Sequence, residues 1–357
     1  MDVGALSAYF KVANDSWECA KARAGIIHER HYKIAGLTVR LQFAGPALLS
    51  CITPALAHLE FPPTSTEHVL TVRLWDSASA NIAMPPAPIP IEGFTIRGEL
   101  NGFNHGRHHA AYDPTGRILS LYDEKKGLGW FCAHDASTVP TFERAAPLRW
   151  IFGWLLRNHG RQLVHAAGVG IERGGVLIVG RGGAGKSNTS VGCLLAGLDF
   201  VGDDFCALAV SPRPTIFSLY SSAKLRTGDW ARVPLPRVNL NDPETEKNVY
   251  YLHSRYAEQI KSHIPIRAIL LPTQGNTREP LFERVSPRVP LIELASQSIS
   301  LLPNAGTEVI TILASLVRRL PCYRFHLGSR PELIPTFVSD LIQALAIADA
   351  ADSDSHD

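Results

Sequence analysis

The sequence predicts an α/β protein in which a smaller, mainly β domain comes first, and three observations lead to that fold class. Residues 37–43 (LTVRLQF) and 70–75 (LTVRLW) alternate apolar and polar side chains, which is typical of strands buried on one face. Residues 147–160 instead repeat apolar side chains at helical spacing, so the periodicity changes near residue 140. The apolar run GVLIVG (175–180) then precedes a glycine-rich loop and a helical segment, an order typical of α/β domains.

These changes predict three regions along the chain. Residues 1–140 form the mainly β domain, with an accessory or substrate-recognition role, and residues 141–346 form the α/β domain. Residues 347–357 are polar and acidic, and we expect a disordered tail there. In the second domain the sequence further predicts strands over 267–272 and 322–327 and helices over 187–198, 304–320 and 331–347.

Composition excludes several classes of protein. The 357 residues are 45% apolar and carry a formal net charge of +2, without the basic excess that nucleic-acid binders show. No apolar run approaches the roughly 18 residues of a membrane span, and no secretion signal is apparent. Six cysteines without a CxxC pair indicate reduced thiols. We expect a cytoplasmic protein with neither nucleic-acid nor membrane partners.

A Walker A pattern, GRGGAGKS, lies at residues 180–187. Its glycines allow the backbone to curl so that amide groups point at phosphate oxygens, and the following helix adds its positive end. Lys186 is predicted to reach the β- and γ-phosphates, and the Ser187 hydroxyl to bind Mg²⁺. The alternative is a strand–helix turn without a ligand, which the fixed residues and the flanks disfavour. The predicted nucleotide-binding residues here are Gly180, Arg181, Gly182, Gly183, Ala184, Gly185, Lys186, Ser187 and Asn188.

Two adjacent carboxylates, Asp203 and Asp204, end the next apolar strand in DFVGDDF (199–205). One carboxylate beside a bound phosphate can hold Mg²⁺ together with Ser187, and the other can accept a proton from an attacking hydroxyl. Neighbouring residues of a strand point to opposite faces, so the two need not have the same role. The alternatives are a solvated turn or a structural aspartate. The other polar cluster, HGRHH (105–109), is expected to be a solvated loop rather than a metal site.

The stretches VHAAGVGIERGGVLIVGRGGAGKS and AGLDFVGDD together resemble the catalytic domain of the HPr serine kinase/phosphorylase family. The resemblance covers residues 164–206, with His165 fifteen residues before Gly180 and Asp204 eighteen residues after Lys186. It implies the P-loop kinase core shared with PEP carboxykinase, with ATP and Mg²⁺ as cofactors. It also implies that Asp204 is the catalytic base, that His165 lies beside the γ-phosphate, and that Lys186 and Asp203 complete the catalytic set.

The chain departs from the family in two places. The first 135 residues do not resemble the family's N-terminal domain, and relatives with divergent N-terminal domains include kinases that phosphorylate a serine of lasso precursor peptides. The family's metal-binding Glu is missing from AKLRTGDW (223–230), where Asp229 either replaces it or belongs to a surface loop. Lys224 and Arg226 of this stretch are predicted phosphate or substrate contacts. The missing metal ligand therefore disfavours the family's reverse, phosphorolytic reaction in this chain.

The sequence thus predicts an ATP- and Mg²⁺-dependent kinase that phosphorylates a serine on a peptide or small protein. A kinase for free serine or another small metabolite remains an alternative, as do a plain ATPase and a nucleotide-binding regulatory protein. The family resemblance further implies assembly into homo-oligomers.

Overall fold

The chain divides into two compact units in a computed structural model, Met1–His159 and Gly160–Asp357. The structure describes residues 3–62, 68–86, 93, 95, 98–100, 106–229, 231–238, 247–301 and 307–354. The unit boundary lies after the helix predicted over 147–160, whereas the sequence pattern placed the boundary at residue 140. The structure therefore assigns this helix to the first unit.

The first unit contains one mixed sheet, with strands in the order β1-β2-β3-β6-β5-β4 among the described residues. Strands β2 and β3 pair in parallel, as do β3 and β6, and the other neighbours are antiparallel. The strands are β1 (Ile27–Ile34), β2 (Leu37–Ala44), β3 (Leu70–Asp76), β4 (His108–Asp113), β5 (Ile118–Asp123) and β6 (Leu128–Ala133); the helices are α1 (Val3–Ala24), α2 (Leu49–Leu56), α3 (Ser77–Ala80), α4 (Thr141–Ala145) and α5 (Arg149–Asn158).

Two features of the first unit differ from the sequence prediction. The 22-residue helix α1 was not predicted, yet Phe10, Ala13 and Trp17 follow helical spacing and pack against the sheet. The cluster HGRHH was expected to be a solvated loop, but His108 and His109 are buried in β4. His109 stacks against Trp154 at 5.3 Å between ring centroids, because the apolar side of the imidazole suits an aromatic core.

The second unit is built on a larger mixed sheet in the order β10-β8-β9-β15-β12-β11-β7, with β17 beside β15 and β16 beside β17. Its strands are β7 (Gln162–Val164), β8 (Ala167–Ile171), β9 (Gly174–Ile178), β10 (Asp199–Gly202), β11 (Cys206–Ala209), β12 (Thr215–Ser218), β13 (Ser222–Arg226), β14 (Lys247–Tyr251), β15 (His263–Thr273), β16 (Leu281–Arg284) and β17 (Cys322–His326). Its helices are α6 (Lys186–Leu195), α7 (His253–Tyr256), α8 (Arg288–Leu301), α9 (Thr307–Arg319) and α10 (Ile334–Asp354). Strands β13 and β14 form a separate antiparallel hairpin.

Helices cover both faces of the second sheet, so the observed architecture is α/β as predicted. One core joins β8 and β9 to α6 and α10, through side chains such as Ile178, Val191 and Val338. The other joins β9 and β15 to α8 and α9, through Leu294 and Leu313 among others. Helix α8 was not predicted from the sequence, because its Pro290 and mixed polarity obscure the helical period.

This topology brings three separate segments to one edge of the sheet. The chain leaves β9, forms the glycine-rich loop and enters α6 at Lys186. Strand β10 pairs with β8, which in turn pairs with β9, so the aspartates that follow β10 lie near that loop. His165 lies between β7 and β8. The fold therefore places the motifs of the sequence analysis together.

The last helix, α10, extends to Asp354, so residues 347–354 are helical where a disordered tail was predicted. Residues 355–357 of that tail lie outside the described residues. By length and composition alone, Pro331–Asp349 could cross a membrane. However, Ile334, Val338 and Ile342 are fully buried in the core of the second unit, which accounts for the apolar face of this helix.

Candidate functional site

In the glycine-rich loop, Gly180, Gly183 and Gly185 have positive φ angles, which glycine adopts more readily than other residues. Gly183 and Gly185 have φ angles of 84° and 105°, in the left-handed region. A Cβ added at Gly185 would lie 2.6 Å from Leu327 Cδ1, closer than van der Waals contact permits. Helix α6 starts at the next residue, so its first amide groups have no acceptor within the helix and point toward the loop. The loop is therefore shaped to receive an anion at a helix N-terminus.

Lys186 lies inside this loop rather than in solvent. Its side chain is buried, with 6% of the residue exposed, and Nζ donates to the Gly180 carbonyl at 2.6 Å and to the Arg181 carbonyl at 3.3 Å. Burial lowers the pKa of Lys186, although Asp204 and Asp203 partly oppose this effect. A phosphate oxygen can replace these carbonyls as the hydrogen-bond acceptor of the ammonium group.

Asp204 lies between two basic side chains. Its Oδ1 is 2.8 Å from His165 Nε2, and its other oxygen forms an ion pair with Lys224 Nζ. Burial would raise the pKa of Asp204, but Lys224 and His165 outweigh burial and hold it well below the usual range. Asp204 is therefore ionised at neutral pH, as a proton acceptor must be. Because it faces an ionised carboxylate, His165 Nε2 carries a hydrogen and donates it.

Asp203 has a different environment from its neighbour. It is 2% exposed, accepts from Ser190 Oγ at 2.9 Å and accepts from the Lys224 backbone N–H at 3.0 Å. Burial and the nearby Asp204 charge raise its pKa, while these donors and Ser187 oppose the shift. Asp203 thereby links the end of β10 to α6 and to β13. Asp203 also accepts a hydrogen bond from Ser187, whose hydroxyl is predicted to bind Mg²⁺.

A cavity of about 280 Å³ opens between the glycine-rich loop and Asp204. Its volume is near the lower end for ligand cavities, roughly 300 Å³, which suits a polyphosphate group. It is lined by His165, Arg181, Gly182, Gly183, Gly185, Lys186, Ser187, Asn188, Asp204, Lys224, Arg226, Asp229, Lys247 and Gln274.

The cavity brings together most residues predicted from the sequence, but not all of them. Three predicted residues do not line it, namely Gly180, Ala184 and Asp203. Asp203 is buried next to the cavity and hydrogen-bonds Ser190 and the Lys224 backbone. Lys247 and Gln274 were not predicted. Lys247 reaches the site because β14 pairs with β13 and sets its Cα opposite that of Arg226. No local pattern in the sequence indicates this pairing.

Asp229 lies in the exposed turn after β13 and also lines the cavity. Its Oδ1 accepts from Asn188 Nδ2 at 2.9 Å, and its Oδ2 accepts from the Arg226 backbone N–H at 2.7 Å. These bonds tie the turn after β13 to the first turn of α6. Asp229 is thus positioned beside the loop by two hydrogen bonds.

The charge and shape of the cavity fit a triphosphate with Mg²⁺. Its lining residues include more cations than carboxylates, and the open surroundings of Gly182 and Gly183, where an added Cβ would meet nothing within 4 Å, leave room for phosphate oxygens. Among the described residues, no group of three His, Cys, Asp or Glu side chains could hold a metal ion by itself. A phosphate-bound Mg²⁺ needs few protein ligands, and Ser187 with a neighbouring carboxylate suffices.

Comparison with solved structures shows distant structural relations. The chain is similar to the Hpr(Ser) kinase/phosphatase from Coxiella burnetii, at 14% sequence identity and a TM-score of 0.31. The match covers 55% of this chain and 96% of that chain. No family model matches the sequence, and no curated protein is similar to it.

Proposed function

We propose that this protein is an ATP- and Mg²⁺-dependent kinase that transfers the γ-phosphoryl group to a serine hydroxyl of a peptide or small protein. One observation supports this proposal above all. The ionised carboxylate of Asp204, paired with Lys224 and His165, faces the same cavity as the glycine-rich loop. An ATPase needs the loop, but a carboxylate held ready for a proton is what a hydroxyl acceptor requires.

Different residues of the cavity bind the phosphates and orient the acceptor. The loop and Lys186 bind the β- and γ-phosphates, while Arg181, Arg226 and Lys247 surround the charge of the polyphosphate. The acceptor hydroxyl lies against Asp204, which orients it toward phosphorus and takes its proton. The acceptor oxygen forms the new bond to phosphorus as the bond to the β–γ bridging oxygen breaks. ADP leaves with the electron pair of that bond.

A bound Mg²⁺ would neutralise charge on the β- and γ-phosphates, and Ser187 would hold it, with the buried Asp203 accepting a hydrogen bond from the Ser187 hydroxyl. Lys224 and His165 keep Asp204 ionised and fixed in direction before the acceptor arrives. A low pKa makes Asp204 a weak base, which suits a reaction whose phosphorus–oxygen bond breaking runs ahead of proton transfer. Positioning then contributes more to the rate than basicity does.

The proposal of a serine peptide rather than a free metabolite draws on the sequence resemblance and on the first unit. A folded unit, Met1–His159, precedes the second unit, and the sequence predicts a substrate-recognition or accessory role for this part of the chain. We propose that this unit binds the peptide that carries the acceptor serine, such as a precursor peptide of the lasso type.

The test is phosphoryl transfer to a library of serine-containing peptides, read as the added mass of one phosphate group. We expect labelled peptide with the wild type, and a drop of about 10²–10⁴-fold in kcat for Asp204→Asn with nucleotide affinity retained. Asp199→Asn, at the partly buried start of the same strand, is the matched control and should leave transfer unchanged. Nucleotide hydrolysis without any labelled acceptor would contradict the proposal.

A further inference from the structure

Helix α8 presents two polar side chains, one turn apart, to the site without lining the cavity. Glu293 Oε1 is 3.6 Å from Arg181 Nε of the glycine-rich loop, and Gln297 Oε1 is 3.1 Å from His165 Nδ1. Residues four apart share a helix face. Leu294, buried in the core between them, fixes the rotation of that face. The helix is therefore anchored in the core and reaches the loop and the histidine together.

The His165 ring is held by three contacts. Nε2 donates to Asp204 at 2.8 Å, Nδ1 meets Gln297, and the ring packs against Phe205 with 5.3 Å between centroids. Its side chain is 10% exposed. Of these contacts, the Gln297 amide and the Asp204 carboxylate are the two that engage ring nitrogens, and they lie at opposite ends of the ring.

The Gln297 contact at Nδ1 is needed because a histidine ring rotates easily. The χ2 angle of histidine has broad, roughly two-fold preferences, so a single hydrogen bond at Nε2 does not determine the ring plane. His165 lies between two strands rather than within one, and no strand pairing restrains its backbone there. A partner at Nδ1 removes the remaining rotation. The Gln297 amide can serve either tautomer, since it offers an oxygen acceptor and a nitrogen donor.

We propose that Gln297 is a positioning residue, which acts through His165 to hold the Asp204 carboxylate in the direction that an acceptor hydroxyl requires. This inference rests on the proposed phosphoryl transfer and assigns to α8 a part in it. Gln297 touches neither the nucleotide nor the acceptor, because it does not line the cavity. Its loss should therefore change the rate of transfer and leave nucleotide binding intact.

The experiment compares Gln297→Met, which keeps the length of the side chain without its polar atoms, with Gln297→Glu, which keeps an oxygen at the same position. We expect Gln297→Met to lower kcat by about tenfold, the usual worth of one hydrogen bond, with nucleotide KM unchanged. Gln297→Glu should not recover the rate, because a carboxylate has no hydrogen to donate to Nδ1, which carries none while Nε2 donates to Asp204. Ser296→Ala, on the exposed side of the same helix, is the control for helix integrity.

A second measurement does not depend on turnover. In nitrogen-15 histidine spectra, with His165→Ala used to assign the signal, Gln297→Met should shift the His165 Nδ1 resonance and Ser296→Ala should not. If wild type transfers no phosphate yet the shift appears, the contact stands and the proposed function fails. If kcat of Gln297→Met equals wild type, if both Gln297 variants lose nucleotide binding, or if the resonance does not move, the inference is overturned.

Discussion

Two adjacent aspartates illustrate how far identical side chains can differ at the scale of single residues. Asp203 accepts backbone and hydroxyl hydrogens in the interior, where burial raises its pKa, whereas Asp204 pairs with Lys224 and His165 at a cavity. The sequence could predict that both carboxylates lie near the loop, because the motif and strand spacing are local. It could not assign their partners, since Lys224 and Ser190 come from other elements.

The ion pair between Lys224 and Asp204 yields a prediction about stability. Lys224→Met leaves a largely buried carboxylate without its cation, so we expect the free energy of unfolding to fall by about 1–3 kcal/mol, less than for a fully buried pair. Lys261→Met removes a more exposed partner of Asp199 and should cost under about 1 kcal/mol. Urea unfolding of both variants measures the difference, and equal losses would contradict this reading of the pair.

At the scale of elements, the glycine-rich loop depends on backbone conformation. Gly185→Ala forces an L-residue into φ of 105° and brings its Cβ against Leu327, so we expect a loss of about 1–3 kcal/mol and loss of nucleotide binding. Gly182→Ala meets no neighbouring atom and should retain the stability of the wild type. Thermal unfolding and nucleotide titration check both variants. A Gly185→Ala protein that binds nucleotide normally would refute the predicted strain.

Another prediction concerns pH and the start of α5 in the first unit. Glu143 accepts from the Leu148 backbone N–H at 2.8 Å, and burial raises its pKa to about 7, with Arg149 opposing the shift. Between about pH 4.5 and 7 the folded protein holds a proton that the unfolded chain has released. The stability of the folded state therefore decreases as pH rises through this window.

Glu143→Gln removes this titration. Relative to the wild type, its free energy of unfolding should increase by about 3 kcal/mol between pH 4.5 and pH 7.5. Five of the six tryptophans lie in the first unit, so tryptophan fluorescence during urea unfolding reports mainly on this region. The exposed Glu124→Gln provides the control. A constant difference across the pH range would show that Glu143 does not titrate there.

Helices α1 and α8 mark the limits of prediction at this scale. The spacing of Phe10, Ala13 and Trp17 does carry a helical period, which could have identified α1. Helix α8 has only a weak helical period in its sequence. It contacts the site through Glu293 and Gln297, whose partners are more than a hundred residues away in the sequence. Local patterns do not indicate such contacts.

At the scale of the whole molecule, the α/β class and the assembly of the motifs around one cavity followed from the sequence. Strand alternation and the strand–loop–helix order depend on neighbouring residues, so they can be interpreted locally. The unit boundary, the helical course of residues 347–354 and the pairing of β14 with β13 depend on tertiary packing.

Nucleotide binding should stabilise the second unit. At a hundredfold excess over Kd, ATP with Mg²⁺ should raise its free energy of unfolding by about 2.7 kcal/mol. Hydrogen exchange should slow in the loop, at the start of α6 and in β13. Lys186→Met should lose this protection. Protection confined to other segments would place the nucleotide elsewhere.

The structure of the protein with a non-hydrolysable ATP analogue and Mg²⁺ tests the central claim most directly. We predict a γ-phosphate held by the loop and Lys186, with the Asp204 carboxylate close enough for one acceptor oxygen to touch both it and the phosphorus. A terminal phosphate outside the cavity, or an Asp204 side chain directed away from it, would contradict the account.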